Sequence, residues 1–345
     1  MTLMLKEIQE EPASLYACEK NNYETLKALA AEMKRREIDN VILSARGSSD
    51  NAGNYFKYLF EVTCGIPVGF AAPAVTTVYG GTVRMGKRTM VLGVSQSGKA
   101  ADVLEVIRSA NSQGALTVSI TNNTESPLAK EAQVHLFCST GEEKSVAATK
   151  TFIAQMFLLA RICQAYSGNE ELCSALTRLP EDIGKVLSSE AAVAKAAERY
   201  LDAADCYVLG RGYSYGIAQE IALKIMETTY TKAKAFAASD FHHGPFAVID
   251  HTARVILAAP SDATVRDLQE MFHKVKAAGA DVTVFTDRPE LFEGADAFVS
   301  FPTVSAYTMP FLEAVCAQLF AQALSTARGL NPDQPRGLNK ITVTK

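Results

Sequence analysis

Asn40-Val-Ile-Leu-Ser44, followed after Ala45 by Arg46-Gly47, returns later in the chain as Cys206-Tyr-Val-Leu-Gly210 followed by Arg211-Gly212. From Arg46 to Arg211 the spacing is 165 residues, and other signals repeat with it. Arg88-Thr-Met-Val-Leu matches Arg254-Val-Ile-Leu-Ala at 166, Gly114-Ala115 before Leu116-Thr-Val matches Gly279-Ala280 before Val282-Thr-Val at 165, and Thr121 and Thr286 close both of those runs at the same offset. Each run is short, β-branched and followed by a helical pattern, the alternation that builds a parallel sheet covered by helices. Strand ends repeating in one order at one spacing predict a duplication: two tandem doubly wound α/β domains, each a flavodoxin-like parallel sheet. The division expected is 1–170, 171–328 and a tail at 329–345, with Ser167-Gly168-Asn169 and Leu179-Pro180-Glu181 punctuating the join. The tail has no counterpart in the first copy, and a segment without its own core must lie on something or stay loose.

Composition narrows the function. A chain of 345 residues suits two domains, and 48 % hydrophobic with 21 % charged residues is ordinary for a globular protein. Lys and Arg total 34 against 38 Asp and Glu, a net charge of −4 without a block of either sign, so the basic footprint of a nucleic-acid partner is missing. Seven scattered cysteines with no C-x-x-C spacing read as small buried hydrophobes in a reducing compartment. The start, MTLMLKEIQEEP, is acidic where a signal peptide is basic. The longest apolar helix candidate, Phe152 to Tyr166, is interrupted by Gln155 and Arg161 and falls short of the roughly 20 residues a bilayer requires. A soluble cytoplasmic protein, with neither membrane nor nucleic-acid partner, is expected.

In open α/β sheets ligands bind beyond the carboxyl ends of the strands, at helix N-termini. Ser95-Gln96-Ser97-Gly98 follows the strand Thr89 to Val94 and precedes a helix from Ala101 to Ser112, with Asp102 in its first turn. Arg46-Gly47-Ser48-Ser49 leads into an aromatic-rich helix through Tyr55, Phe56 and Tyr58. Hydroxyls and backbone N–H groups at helix starts form an anion cradle, and the two loops together suggest one phosphate pocket. The same residues also suit two ordinary turns with serine N-caps. The matching place in copy two reads Pro260-Ser261-Asp262-Ala263, whose carboxylate would repel phosphate.

A second cluster lies on a helix expected from Tyr215 to Tyr230. Glu220, Lys224 and Glu227, spaced i, i+4 and i+7, share one face, while most of the rest of the circumference is apolar. Such a stripe suits a cavity or an interface, or else a solvated pair on a helix surface. Downstream, Asp240-Phe241-His242-His243-Gly244-Pro245 places two of the five histidines in a proline-stiffened loop, where they are either proton carriers or packing residues. No spacing of His, Cys and carboxylates suggests a metal site.

Ser95-Gln-Ser-Gly, Glu143-Lys-Ser-Val-Ala-Ala-Thr-Lys150, Leu209-Gly-Arg-Gly212, Glu220 to Glu227, His242-His-Gly-Pro245 and Asp333-Gln-Pro-Arg-Gly-Leu-Asn-Lys340 together resemble the sugar-isomerase (SIS) domains of the glucosamine-6-phosphate synthase family, from about Lys6 onward. Ala45-Arg-Gly-Ser-Ser-Asp50 and Ala71-Ala-Pro look like its shorter branch, which includes glucosamine-6-phosphate deaminases. The resemblance implies that Ser49, Ser95, Gln96 and Ser97 hold the sugar phosphate, with Gly47, Ser48 and Lys99 beside them, and that Val146 meets the sugar through its backbone. It further implies Lys340 as the Schiff-base lysine, Glu227 as the base for C1–C2 proton transfer, Lys224 beside it and Glu220 in support. By the same resemblance His243 opens the sugar ring and reaches the site from the second subunit of a homodimer, and neither metal nor organic cofactor takes part. The sequence departs from the family at Lys99-Ala100, where Glu-Thr is usual, at Ala148 for Ser, and at Asp240 for Glu.

The isomerase region begins almost at Met1, leaving no room for a glutaminase domain, so the expected reaction is the ammonia-releasing one. Glucosamine 6-phosphate and water would give fructose 6-phosphate and ammonia. A fructosamine-6-phosphate deglycase or a galactosamine-6-phosphate deaminase/isomerase fits the same fold, and a phosphosugar sensor is the non-catalytic alternative.

Overall fold

Every residue of Thr89-Met-Val-Leu-Gly-Val94 and of Leu116-Thr-Val-Ser-Ile-Thr121 is buried, as central parallel strands covered on both faces must be. The computed structural model describes residues 1–340, so the last five residues of the expected tail lie outside the described residues. Two five-stranded sheets are present, and every strand pairing in them is parallel. The first contains β1 (Asn40–Ser44), β2 (Val68–Phe70), β3 (Thr89–Val94), β4 (Leu116–Thr121) and β5 (Val134–Phe137), in the order β2-β1-β3-β4-β5. The second contains β6 (Asp205–Gly210), β7 (Lys232–Ala237), β8 (Arg254–Ala258), β9 (Asp281–Thr286) and β10 (Ala297–Ser300). Read as β7-β6-β8-β9-β10, it repeats the first. The two tandem doubly wound domains expected from the 165-residue repeat are therefore the fold.

The chain gathers into two compact units, one of residues 13–143 and 150–176 with Asn339 and Lys340, the other of residues 1–12, 144–149 and 177–338. In the first, Val91 of β3 packs with Val103, Ile107 and Leu128, and the helix Ser48–Cys64 lies along the helix Lys150–Ser167. In the second, Leu257 and Val284 pack with Leu268, Phe272 and Phe292, and the helix Tyr215–Thr229 lies along Met309–Ala327.

Two local expectations are corrected. Pro180 does not break the chain but lies inside the helix Glu170–Leu187. Leu172, Leu176, Leu179, Ile183 and Val186 are buried at helical spacing on both sides of it, so packing outweighs the lost backbone bond. The helix expected to include Tyr230 ends at Thr229, and Tyr230 is its left-handed cap, with φ +62° and its N–H donating to Met226 O. The apolar run at 152–166 forms Lys150–Ser167, and among the described residues no helix is long and apolar enough to cross a membrane. All seven cysteines are free, five of them buried.

Candidate active site

The strand order reverses at β1 and β3, and the loops leaving their carboxyl ends are joined by an ion pair: Arg46 Nε donates to Asp102 Oδ2 at 2.8 Å. Neither helix that follows is capped by a serine side chain, since the N-caps are Gly47 and Ala100 and neither makes a side-chain bond. The 95–98 loop is instead fixed through its backbone. Asn122 N donates to Gln96 O at 2.9 Å and Leu128 N to Gly98 O at 3.1 Å. Gly98 has φ +63°, and a Cβ there would lie 2.1 Å from Ser126 Oγ, so only glycine closes this turn. Ser95 Oγ accepts from Gly98 N and Ser97 Oγ from Lys99 N.

Beside that loop opens a cleft of about 420 Å³ whose lining includes Gln96, Ser97, Lys99, Asn122, Glu143 and Lys340. The structure thus brings Lys340 to the same cleft as the Ser-Gln-Ser loop, although 240 residues separate Lys340 from Ala100. What holds it is Glu143, buried at the start of the helix Lys150–Ser167. Its carboxylate accepts from Thr151 N at 3.0 Å, from Thr151 Oγ1 at 2.8 Å and from Lys340 Nζ at 2.5 Å. Gly47, Ser48 and Ser49 lie at the start of the neighbouring helix, outside this lining, with Ser49 buried.

The charged stripe occupies the helix Tyr215–Thr229. Lys224 is wholly buried, with Nζ 3.4 Å from Glu220 and 2.5 Å from Glu227. Glu220 is equally buried, while the Glu227 side chain is 21 % exposed. Burial opposes the charge on Lys224, but Glu220 and Glu227 outweigh it and hold the ammonium above the usual lysine range. Of the three groups only Glu227 presents an atom to solvent, which leaves one carboxylate positioned to take and return a proton and a fixed cation behind it.

His243 stands exposed on its turn, its backbone N–H donating to Asp240 O at 2.9 Å. Its neighbour His242 lies 3.3 Å from Lys274 Nζ, and burial, with Lys274 and His243 adding to it, lowers the imidazole's affinity for a proton. Val146 N donates to Asp333 O at 3.4 Å. Among the described residues no group of three or more His, Cys, Asp or Glu is arranged to hold a metal ion. The sequence assigns Glu143 no role beyond its place in a motif; its signal was a carboxylate seven residues ahead of a helix start.

Residues 36–162 and again 200–326 match the SIS domain. The chain belongs to the SIS-domain family. It is 34 % identical over 348 residues to the isomerizing glutamine–fructose-6-phosphate aminotransferase of Methanothermobacter thermautotrophicus, a match covering 99 % of this chain and 57 % of that protein. The chain thus spans little more than half the length of that curated relative. An inferred phosphosugar isomerase of Silicibacter pomeroyi superposes on this SIS protein with a TM-score of 0.88 at 30 % identity, over 96 % of this chain and 100 % of the other. The glucosamine-6-phosphate deaminase of Thermotoga maritima superposes with a TM-score of 0.78 at 24 % identity, over 99 % and 100 % of the two chains, which is likeness of fold.

Proposed function

We propose that this SIS protein is an isomerising deaminase that converts glucosamine 6-phosphate and water to fructose 6-phosphate and ammonia. The observation that carries the reading is the Glu220–Lys224–Glu227 array, in which a buried ammonium pins two carboxylates and one of them reaches solvent. Mere binding of a sugar phosphate needs no such array. Written in the ammonia-releasing direction, the reaction needs only water as co-substrate.

The steps follow from the groups. The Ser95, Gln96 and Ser97 loop, with Ser49 and Lys99, takes the phosphate. His243, contributed by a second copy of the chain, accepts and returns the proton that opens the ring. Glu227 removes the C2 proton of the open-chain aldose and delivers it to C1 while a proton passes from the amino nitrogen to O1, which moves the double bond and leaves an imine at C2 beside a C1 hydroxyl. The Lys340 amine adds to that carbon, ammonia leaves, and water then displaces the lysine to give the ketose. Glu143 accepts a hydrogen bond from Lys340 beforehand and orients it.

The test mixes the purified protein with glucosamine 6-phosphate, without metal or glutamine, and follows both products. Equal release of ammonia and fructose 6-phosphate supports the proposal. Neither product, with binding still visible by thermal shift, overturns it in favour of a deglycase or a sensor. Mixing Glu227→Gln chains with His243→Ala chains tests the shared site, because activity should return only in mixed dimers.

A further inference from the structure

The two copies end their matching helices with the same backbone and different residues. Gly65 caps the helix Ser48–Cys64 at φ +68°, ψ +15°, and Tyr230, 165 positions later, caps Tyr215–Thr229 at φ +62°, ψ +13°. Glycine adopts that conformation freely, whereas an L side chain meets its own backbone there. A Cβ at Gly65 would touch nothing within 4 Å, so the position does not demand glycine for space; only the backbone favours it. Copy two therefore keeps a side chain where the backbone disfavours one.

That side chain holds the tail. Arg336 stacks its guanidinium over the Tyr230 ring at 4.2 Å from the centroid, and Arg336 N donates to Tyr230 Oη at 2.9 Å. Three residues earlier, Asp333 accepts from Leu3 N and Met4 N at 2.8 Å each and so caps the first helix of the chain. The segment from Asp333 to Arg336 is thus latched at two points before the chain reaches Lys340. Tyr230 also follows Glu227 by three residues, so the latch caps the helix that bears the proposed base.

We propose that Tyr230 is a positioning residue, retained in a left-handed cap so that it can grip Arg336 and fix the stretch of tail from which Lys340 is presented. This rests on the proposed Schiff-base role of Lys340 for its catalytic readout, but the latch itself is measurable without it.

The experiment compares wild type with Tyr230→Gly, Tyr230→Phe, Arg336→Ala and Arg336→Lys. Tyr230→Gly relieves the backbone and removes the grip. The melting temperature should hold or rise while kcat for glucosamine 6-phosphate falls about tenfold with KM changed less than about threefold. Borohydride trapping of fructose 6-phosphate on Lys340, which reduces the imine carbon–nitrogen bond, should slow in step. Tyr230→Phe keeps the ring and loses the acceptor, so its loss is smaller, and Arg336→Lys should recover part of what Arg336→Ala loses. A merely structural tyrosine would instead lower the melting temperature of Tyr230→Gly and leave kcat intact, which overturns the proposal. If wild type turns nothing over, the reaction has failed rather than the latch. Deuterium exchange across 331–340 then decides, with faster exchange in Tyr230→Gly sustaining the latch and unchanged exchange refuting it.

Discussion

Copy one and copy two share a strand order and several bonds, yet the space beside the glycine after the arginine is open in one and filled in the other. Arg46 pairs with Asp102 in the first, and Arg211 with Asp267, at 2.7 Å, in the second. Ser97 Oγ accepts from Lys99 N, and Asp262 Oδ1 accepts from Thr264 N, the same local turn. The difference lies in what faces the glycine after the arginine. Gly47 has nothing within 4 Å of a notional Cβ, whereas at Gly212 that atom would lie 2.9 Å from Thr264 Cγ2. Copy two also directs its polar groups inward: Ser261 donates to Asp287, and Ser214 donates to the buried Glu313. On the matching helices the contrast reverses. Copy one has Tyr55, Leu59 and Val62 where copy two has Glu220, Lys224 and Glu227. In the proposed reaction the duplicated domain divides its labour, with anion-holding loops in one copy and proton-moving side chains in the other.

The sharpest way to break that division is Glu227→Gln. The amide keeps an oxygen for Lys224 to donate to but cannot carry the proton, so turnover should fall by about 10²- to 10⁴-fold. Binding of fructose 6-phosphate, followed by calorimetry, should persist. Undiminished turnover would return copy two to a structural role.

Next in size is Lys224→Met. Lys224→Met removes the ammonium that faces Glu220 and Glu227 in a buried site, and losing one member of a buried pair costs about 3–5 kcal/mol. Denaturant unfolding should show a large fall in midpoint, with Leu59→Met in copy one as the apolar counterpart that loses under about 1.5 kcal/mol. Equal effects at the two positions would mean that the charged array carries no special weight.

Ser97→Asp rewrites copy one toward copy two. The local turn survives, since an aspartate makes it at Asp262, but a carboxylate now faces the phosphate. Repulsion should weaken phosphosugar binding about a hundredfold, from like-charge costs of several kcal/mol, with little change in melting temperature. Retained affinity would show that the cradle takes its anion elsewhere.

The elements whose signals are local were legible in the sequence. β4 and the helix Ala101–Ser112 run between the residues read from the sequence, because β-branched runs and an amphipathic period mark them without outside help. The i, i+4, i+7 stripe was likewise legible, and burial then decided between a solvated pair and an enclosed one. Glu143 was not legible as a partner of Lys340, since 197 residues separate them and only the fold joins them. Tyr230 was read as one more helical residue, because a left-handed cap normally announces itself by glycine. Pro180 misled for the opposite reason: a strong local signal was overridden by packing.

The smallest effect concerns the seal in copy two. Burial pushes the Glu313 carboxyl well above the usual range, Ser214 opposes this by donating to it, and Asp262 and Asp287 push it further up. The sign follows from which state holds the proton. A carboxyl whose folded pKa is raised favours folding fully below its unfolded value, about 4.3, and that contribution is lost as pH rises toward the folded value. Between those limits the unfolded chain ionises and the folded one does not, so rising pH erodes stability. Glu313→Gln keeps an oxygen to accept from Ser214 and has nothing to ionise, so its melting temperature should match wild type near pH 4 and exceed it near pH 8, by about 1–2 °C for each kcal/mol at a length of 345 residues. Parallel curves across that range would mean that Glu313 is already charged in the folded protein. The inward-facing polar groups of copy two would then be an ionised site held open rather than a neutral seal.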